Sequence, residues 1–180
     1  MGGGIAWNYA VAHPERITGL VLVDAGGAPV DAKQSLPLGF RIAQTPVLRD
    51  AMLHITPRSV IERSLHQSVS NQAIASDAAI DRYWELLRYP GNRQATLDRF
   101  TTTRKPTDEA SVRAIKVPTL ILWGAEDKLL PVSGARWFGA RIAGSQVVVY
   151  PGVGHIPMEE VADKSASDVM QWMAKLPATR

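Results

Sequence analysis

The sequence predicts an α/β fold built on a parallel sheet, and three observations carry that prediction. Three short apolar runs stand out: Leu20-Val21-Leu22-Val23, Thr119-Leu120-Ile121-Leu122-Trp123 and Gln146-Val147-Val148-Val149-Tyr150. They are continuous rather than alternating, the pattern of strands buried on both faces of a parallel sheet. Helical patterns separate them, as the crossovers between parallel strands require. Finally, a chain of 180 residues, 46% hydrophobic and 21% charged, has the length and composition of one globular domain and not of a disordered segment.

The elements follow in order. Ile5 to Ala12 reads as a short helix rich in alanine and aromatics, ended by His13-Pro14. The first strand comes next, at Leu20–Val23. From Ala28 to about Lys116 no strand pattern is convincing, and prolines 29, 37, 46, 57, 90 and 106 punctuate the stretch. Within it Ile61, Leu65 and Val69 recur every four residues after Pro57, and Ile80, Trp84 and Leu87 form a second stripe after Asp77. An insertion of that size exceeds a plain crossover and predicts a helical lid over one end of the sheet. The second and third strands follow, and Ala166, Val169, Met170 and Met173 make a last helical stripe. The handedness of crossovers then places the strands in one twisted sheet with helices on its faces. Residues 1–27 and 116–180 are assigned to the core and 28–115 to the lid.

Composition excludes several classes of function. Twenty basic residues against seventeen acidic give a net charge of only +3. The basic residues are scattered (Arg16, Lys33, Arg41, Arg58, Arg82, Arg104, Lys116, Arg136), without the stripe of a nucleic-acid binder. The absence of cysteine excludes disulfides, thiolate-bound zinc and a thiol nucleophile. No His-x-x-x-His spacing suggests a metal site. No apolar run approaches the ~18 residues of a membrane span. The opening Met-Gly-Gly-Gly lacks the basic stretch and apolar core of a signal peptide, which favours the cytoplasm.

In an open parallel sheet, ligands bind beyond the carboxyl ends of the strands. Asp24-Ala25-Gly26-Gly27 follows the first run, Gly124-Ala125-Glu126-Asp127 the second, and Pro151-Gly152-Val153-Gly154-His155 the third. Neighbouring strands would gather carboxylates and an imidazole on one edge. A carboxylate holding a histidine in one tautomer, with the histidine as general base, is two thirds of a nucleophilic triad. His13, His54 and His66 read instead as structural, and Glu126 as solvated.

Here the residues resemble a family. Pro118-Thr119-Leu120-Ile121-Leu122-Trp123-Gly124-Ala125-Glu126-Asp127 and Gly152-Val153-Gly154-His155-Ile156-Pro157 look like the acid and histidine segments of α/β-hydrolases. Ala12-His13-Pro14-Glu15-Arg16-Ile17, leading into Leu20–Asp24, resembles the helix after that family's nucleophile and the strand that follows it. The resemblance implies Asp127 as triad acid and His155 as general base, with Asp24 the reserve acid because some members take theirs from that strand. It implies a small-molecule ester-like substrate and no cofactor.

The resemblance also sets expectations about what lies upstream. The family's nucleophile occupies a Gly-x-Ser-x-Gly turn from strand to helix, and Met1-Gly2-Gly3 resembles the part of that turn after the serine. Met1 would then supply one backbone N–H to the oxyanion hole. None of Ser35, Ser59, Ser64, Ser133 and Ser145 lies between two glycines in such a turn. The chain is thus expected to be a truncated α/β-hydrolase with the last three strands of the sheet and little activity alone. It would self-associate through an exposed apolar edge. The parent activity is read as ester hydrolysis around a hydrophobic group. Carbon–carbon bond hydrolysis, dehalogenation, epoxide opening and a non-catalytic binding remnant are the alternatives. A dinucleotide site at Gly2-Gly3-Gly4 with Asp24 as its acid fits poorly, since no strand precedes the glycines and Trp7 stands where a glycine or alanine belongs.

Overall fold

The computed structural model describes residues 1–29, 44–101 and 107–177. Lys33, Ser35, Pro37, Arg41, Arg104 and Pro106, all named above, lie outside them. Helix α1 (Gly2–Ala12) leads into strand β1 (Leu20–Val23). Among the described residues five α-helices follow before the next strand: α2 (Pro46–His54), α3 (Arg58–Ser68), α4 (Asp77–Arg88), α5 (Asn92–Thr101) and α6 (Glu109–Arg113). Then come β2 (Thr119–Gly124), α7 (Ser133–Gly139), β3 (Gln146–Tyr150), the single turn α8 (Pro157–Glu160) and α9 (Ala162–Met173).

The three strands form one parallel sheet in the order β1-β2-β3, with Leu22 opposite Ile121 and Leu122 opposite Val148. Alternation across the pleat splits their side chains between two cores. Leu20, Leu22, Ile121 and Trp123 pack with Trp7 and Ala10 of α1, Val112 of α6 and Phe138 of α7. Leu120, Leu122 and Tyr150 face the other way, against Val153 and Trp172 of α9. The inserted helices hold a third cluster of Leu65, Val69, Ala75 and Ile80, against which Ile156 packs. Their ends carry the expected capping chemistry: Ser76 Oγ accepts from Ala79 N–H at the start of α4, and the Asp108 carboxylate accepts from Ala110 and Ser111 N–H at the start of α6.

Two expectations need correction. Only β2 is buried along its whole length; in β3 Val147 and Val149 are 39% and 38% exposed. β3 is an edge strand among the described residues, so its valines on the α1 side are only partly covered, Val147 lying beside Gly139 of α7. In α9 the inward stripe is buried Ser165 and Trp172 with half-buried Val169, while Met170 and Met173 are 67% and 52% exposed. The indole of Trp172 lies against Gly19, ahead of β1, and that contact sets the rotation of the helix.

The asymmetry between β2 and β3 has a measurable consequence. Leu122→Ala should cost about 2–5 kcal/mol in urea unfolding, the range for emptying a buried leucine site. Val147→Thr should stay within about 0.5 kcal/mol of wild type, as at other exposed positions.

Candidate active site

Parallel pairing brings the residues after β1, β2 and β3 to one edge. Gly124 ends β2, and its backbone presses against the loop after β3: a Cβ there would lie 1.8 Å from the Gly154 carbonyl oxygen, so no other residue fits without moving the chain. Ala125 N–H donates to Tyr150 O and Glu126 N–H to Val153 O, which ties the two loops together. Their side chains then meet. His155 Nδ1 lies 2.7 Å from Asp127 Oδ2; the Asp127 side chain is fully buried, and that of His155 is 20% exposed.

Asp127 is held from both sides. Its Oδ1 accepts from the N–H groups of Leu129 and Leu130 at 2.7 and 2.9 Å, fixing the carboxylate while Oδ2 faces the imidazole. With Oδ1 taken by two N–H donors, Oδ2 is the acceptor left for the imidazole. The imidazole nitrogen that faces it, Nδ1, is thereby the donor in the neutral ring, and the free lone pair falls on Nε2. Among the described residues Nε2 makes no hydrogen bond.

Asp24, named as the reserve acid, lies beside this pair. It is 2% exposed, adopts the left-handed region at φ +40°, and its Oδ1 accepts from Gly124 N–H at 3.0 Å. One carboxylate oxygen each from Asp24 and Asp127 and a ring nitrogen of His155 all lie within 4.8 Å of one another. These are the atom types of a cation site, but Nδ1 and Oδ2 are already bonded to each other, so they form a hydrogen-bonded pair with Asp24 beside it. Burial, opposed by the Gly124 N–H and reinforced by the Asp127 charge, pushes the Asp24 carboxyl up to about 9.

Met1 caps α1, its carbonyl accepting from Gly4 N–H at 3.1 Å. Gly3 and Gly4 of that helix press on Ala25 and Gly26, directly after Asp24, which sets the amino end of α1 against the same edge of the sheet. The remaining histidines are elsewhere: His13 and His54 are exposed, and His66 pairs with Gln72 on α3. Glu126 is exposed.

One residue escaped the sequence reading. Glu160 Oε1 accepts from Gly154 N–H at 2.7 Å, while its Oε2 accepts from Ser70 and Asn71 N–H at 2.8 and 2.9 Å. A single carboxylate thus ties the histidine loop to the end of α3, and His155 N–H donates to Ser68 O at 2.7 Å beside it. The acidic pair Glu159-Glu160 after His155-Ile156-Pro157 was the available signal; only the fold shows that one member turns inward. Glu159 instead accepts from Tyr83 and pairs with Arg82 on α4.

The inserted helices enclose a cavity of about 330 Å³ lined by Met52, Ile61, Leu65, Leu87, Leu97 and Phe100, with Ile156, the neighbour of His155, on its wall. Thr56 and Arg93, bonded to each other at 3.1 Å, are among its polar groups. Tyr83 lines the cavity as well. Val47 and Leu48 are 79% and 50% exposed, and Trp84 donates to Thr56 O.

Removing the Glu160 carboxylate should uncouple the two segments. Glu160→Ala leaves three backbone N–H groups without their acceptor and should cost about 2 kcal/mol in urea unfolding. Glu160→Gln, which keeps an acceptor oxygen, should fall between the two.

A model of the alpha/beta hydrolase fold family matches residues 1–162. A 2-hydroxymuconate semialdehyde hydrolase of Pseudomonas putida is 25% identical over 98% of this chain and 61% of its own length. A monoacylglycerol lipase of Bos taurus is 27% identical over 99% of this chain and 54% of its own length. The solved structure of a meta-cleavage product hydrolase from Pseudomonas fluorescens superposes with a TM-score of 0.77 at 19% identity, covering 96% of this chain and 61% of that one. The chain therefore spans between half and two thirds of the length of these relatives. No described helix is long and apolar enough to cross a membrane. With a sheet of this topology and a family match over nine tenths of its length, the chain belongs to the α/β-hydrolase fold family.

Proposed function

We propose that this chain supplies the acid, the base and the lid of a serine hydrolase acting on a carboxylic ester with a hydrophobic group. The observation that carries the reading is the 2.7 Å bond from the His155 imidazole to a buried, backbone-held Asp127, which leaves Nε2 as the base. Residues 28–115 are assigned to the lid insertion; of its described helices α2 to α5 line the cavity, while α6 packs on the sheet through Val112. The apolar cavity among its helices is the seat for the hydrophobic group, because Ile156, one residue from the base, lines its wall. The nucleophile is the serine expected on the turn leading into α1.

The reaction then runs in two halves. Serine Oγ attacks the ester carbonyl as His155 Nε2 takes its proton, and Asp127 stabilises the imidazolium. The N–H of Met1 donates to the oxyanion. Collapse of the tetrahedral intermediate expels the alcohol, which receives the proton from Nε2. Water repeats the attack on the acyl-enzyme, releases the acid and restores the serine. Metal chemistry has no part in this scheme. The lipase among the relatives supports the ester; the semialdehyde and meta-cleavage product hydrolases support carbon–carbon cleavage as the second reading, since the same acid and base can serve it.

The 180-residue chain should hydrolyse p-nitrophenyl butyrate no faster than its His155→Ala variant. Reading the coding frame upstream of Met1 and expressing the longer product tests the rest. A Gly-x-Ser turn, with turnover and fluorophosphonate labelling both lost on His155→Ala, is the expected result. Gly-x-Asp would shift the chemistry to dehalogenation or epoxide opening, and an in-frame stop would make the chain a non-catalytic binding module. The same reading holds that the outer edge of β1 pairs with another strand. Sedimentation of the 180-residue chain should accordingly show self-association, and a monodisperse monomer would count against it.

A further inference from the structure

The Asp24 carboxyl has no part in the reaction just described, yet it is built into the centre of the site. Its Oδ1 accepts one bond, from Gly124 N–H. Its Oδ2 is buried and, among the described residues, no donor reaches it. A buried carboxylate oxygen without a donor is costly to keep charged. The neighbouring carboxylate is in the opposite condition: Asp127 receives two backbone N–H groups on Oδ1 and the imidazole on Oδ2. Two carboxyl groups in such proximity do not both stay ionised, and the proton settles on the one with fewer donors. That one is Asp24.

We propose that Asp24 is a neutral carboxylic acid whose Oδ2–H donates to the Asp127 carboxylate, so that Asp24 acts on His155 through Asp127 as a positioning residue. The proton gives Oδ2 a partner and draws charge away from the oxygen that faces the imidazole, moderating the Asp127–His155 bond. The titratable groups facing Asp24 are Asp127 after β2, His155 after β3, Tyr150 at the end of β3 and Glu160 of α8. Three of the four are acids, and of them the Asp127 and Glu160 charges raise Asp24 further, in the same direction as burial. The left-handed backbone at Asp24, φ +40°, is one that Asp and Asn tolerate better than most residues, so Asp24→Asn preserves the local chain. The catalytic meaning of this assignment rests on the proposed roles of Asp127 and His155; the protonation state of Asp24 does not.

The test needs no turnover, so it can fail or succeed whatever the ester reading does. In ¹³C NMR of the 180-residue chain, the Asp24 carboxyl carbon is identified by its loss in Asp24→Asn. It should hold its protonated position through neutral pH and move only near 9. Movement near pH 4 would overturn the proposal. Stability gives a second readout. An acid raised in the folded state contributes stability that is complete below its unfolded value, near 4, and is lost as pH rises through its folded value, near 9. Wild type should therefore lose melting temperature between pH 5 and pH 9 more steeply than Asp24→Asn, and equal slopes would overturn the proposal. The low-field Nδ1–H proton of His155 reads the positioning role. It should stay in place in Asp24→Asn, whose amide still donates to Asp127, and move further downfield in Asp24→Ala; no movement in a folded Asp24→Ala would remove that role.

Discussion

The site depends on the parallel pairing of β2 with both of its neighbours. Because all three strands run the same way, the residues that follow them emerge on one edge, and Asp24, Asp127 and His155 meet although more than a hundred residues separate the first from the second. The contact that sharpens this placement is backbone on backbone. Gly124 and the Gly154 carbonyl approach so closely that the loops after β2 and β3 move as one piece. Side chains then need little further freedom to bond at 2.7 Å. Precision in the Asp127–His155 pair is thus inherited from the sheet, as a rigid constellation requires.

Much of this was legible in the sequence, for identifiable reasons. The strands announced themselves as uninterrupted apolar runs, since a parallel strand flanked by helices has no solvent face to alternate with. Asp127 and His155 stood out because each ends a Gly-containing turn after such a run. Legibility failed where the answer depends on neighbours. Nothing in Gln146-Val147-Val148-Val149-Tyr150 tells that this strand lies at an edge with two valines half uncovered. Met170 and Met173 share a stripe with Val169 on paper, but the contact of Trp172 with Gly19 turns the helix to bury a different one. Asp24 could be read as a carboxyl at a strand end; that its second oxygen is sealed from water is a property of packing alone.

The inserted helices carry a different kind of information. Their apolar residues divide among a packed cluster, a cavity wall and plain exposure, and composition does not sort them: Met52 lines the cavity while Leu48, one turn away on the same helix, faces out. The cavity exists because α2 to α5 pack around it. Their register is set by contacts such as Trp84 to Thr56 and Arg58 to Asp77, which join residues about twenty to thirty positions apart.

The Glu160 carboxylate and the Ser68 carbonyl hold the histidine loop to the end of α3. Any swing of α3 away from the sheet must either break these bonds or carry residues 154 and 155 with it. Admission of a guest to the cavity by such a swing would therefore draw His155 away from Asp127, and re-docking of the helix would return it. A molecule wired in this way couples its door to its imidazole, so that an open cavity goes with a parted pair and a shut one with a joined pair.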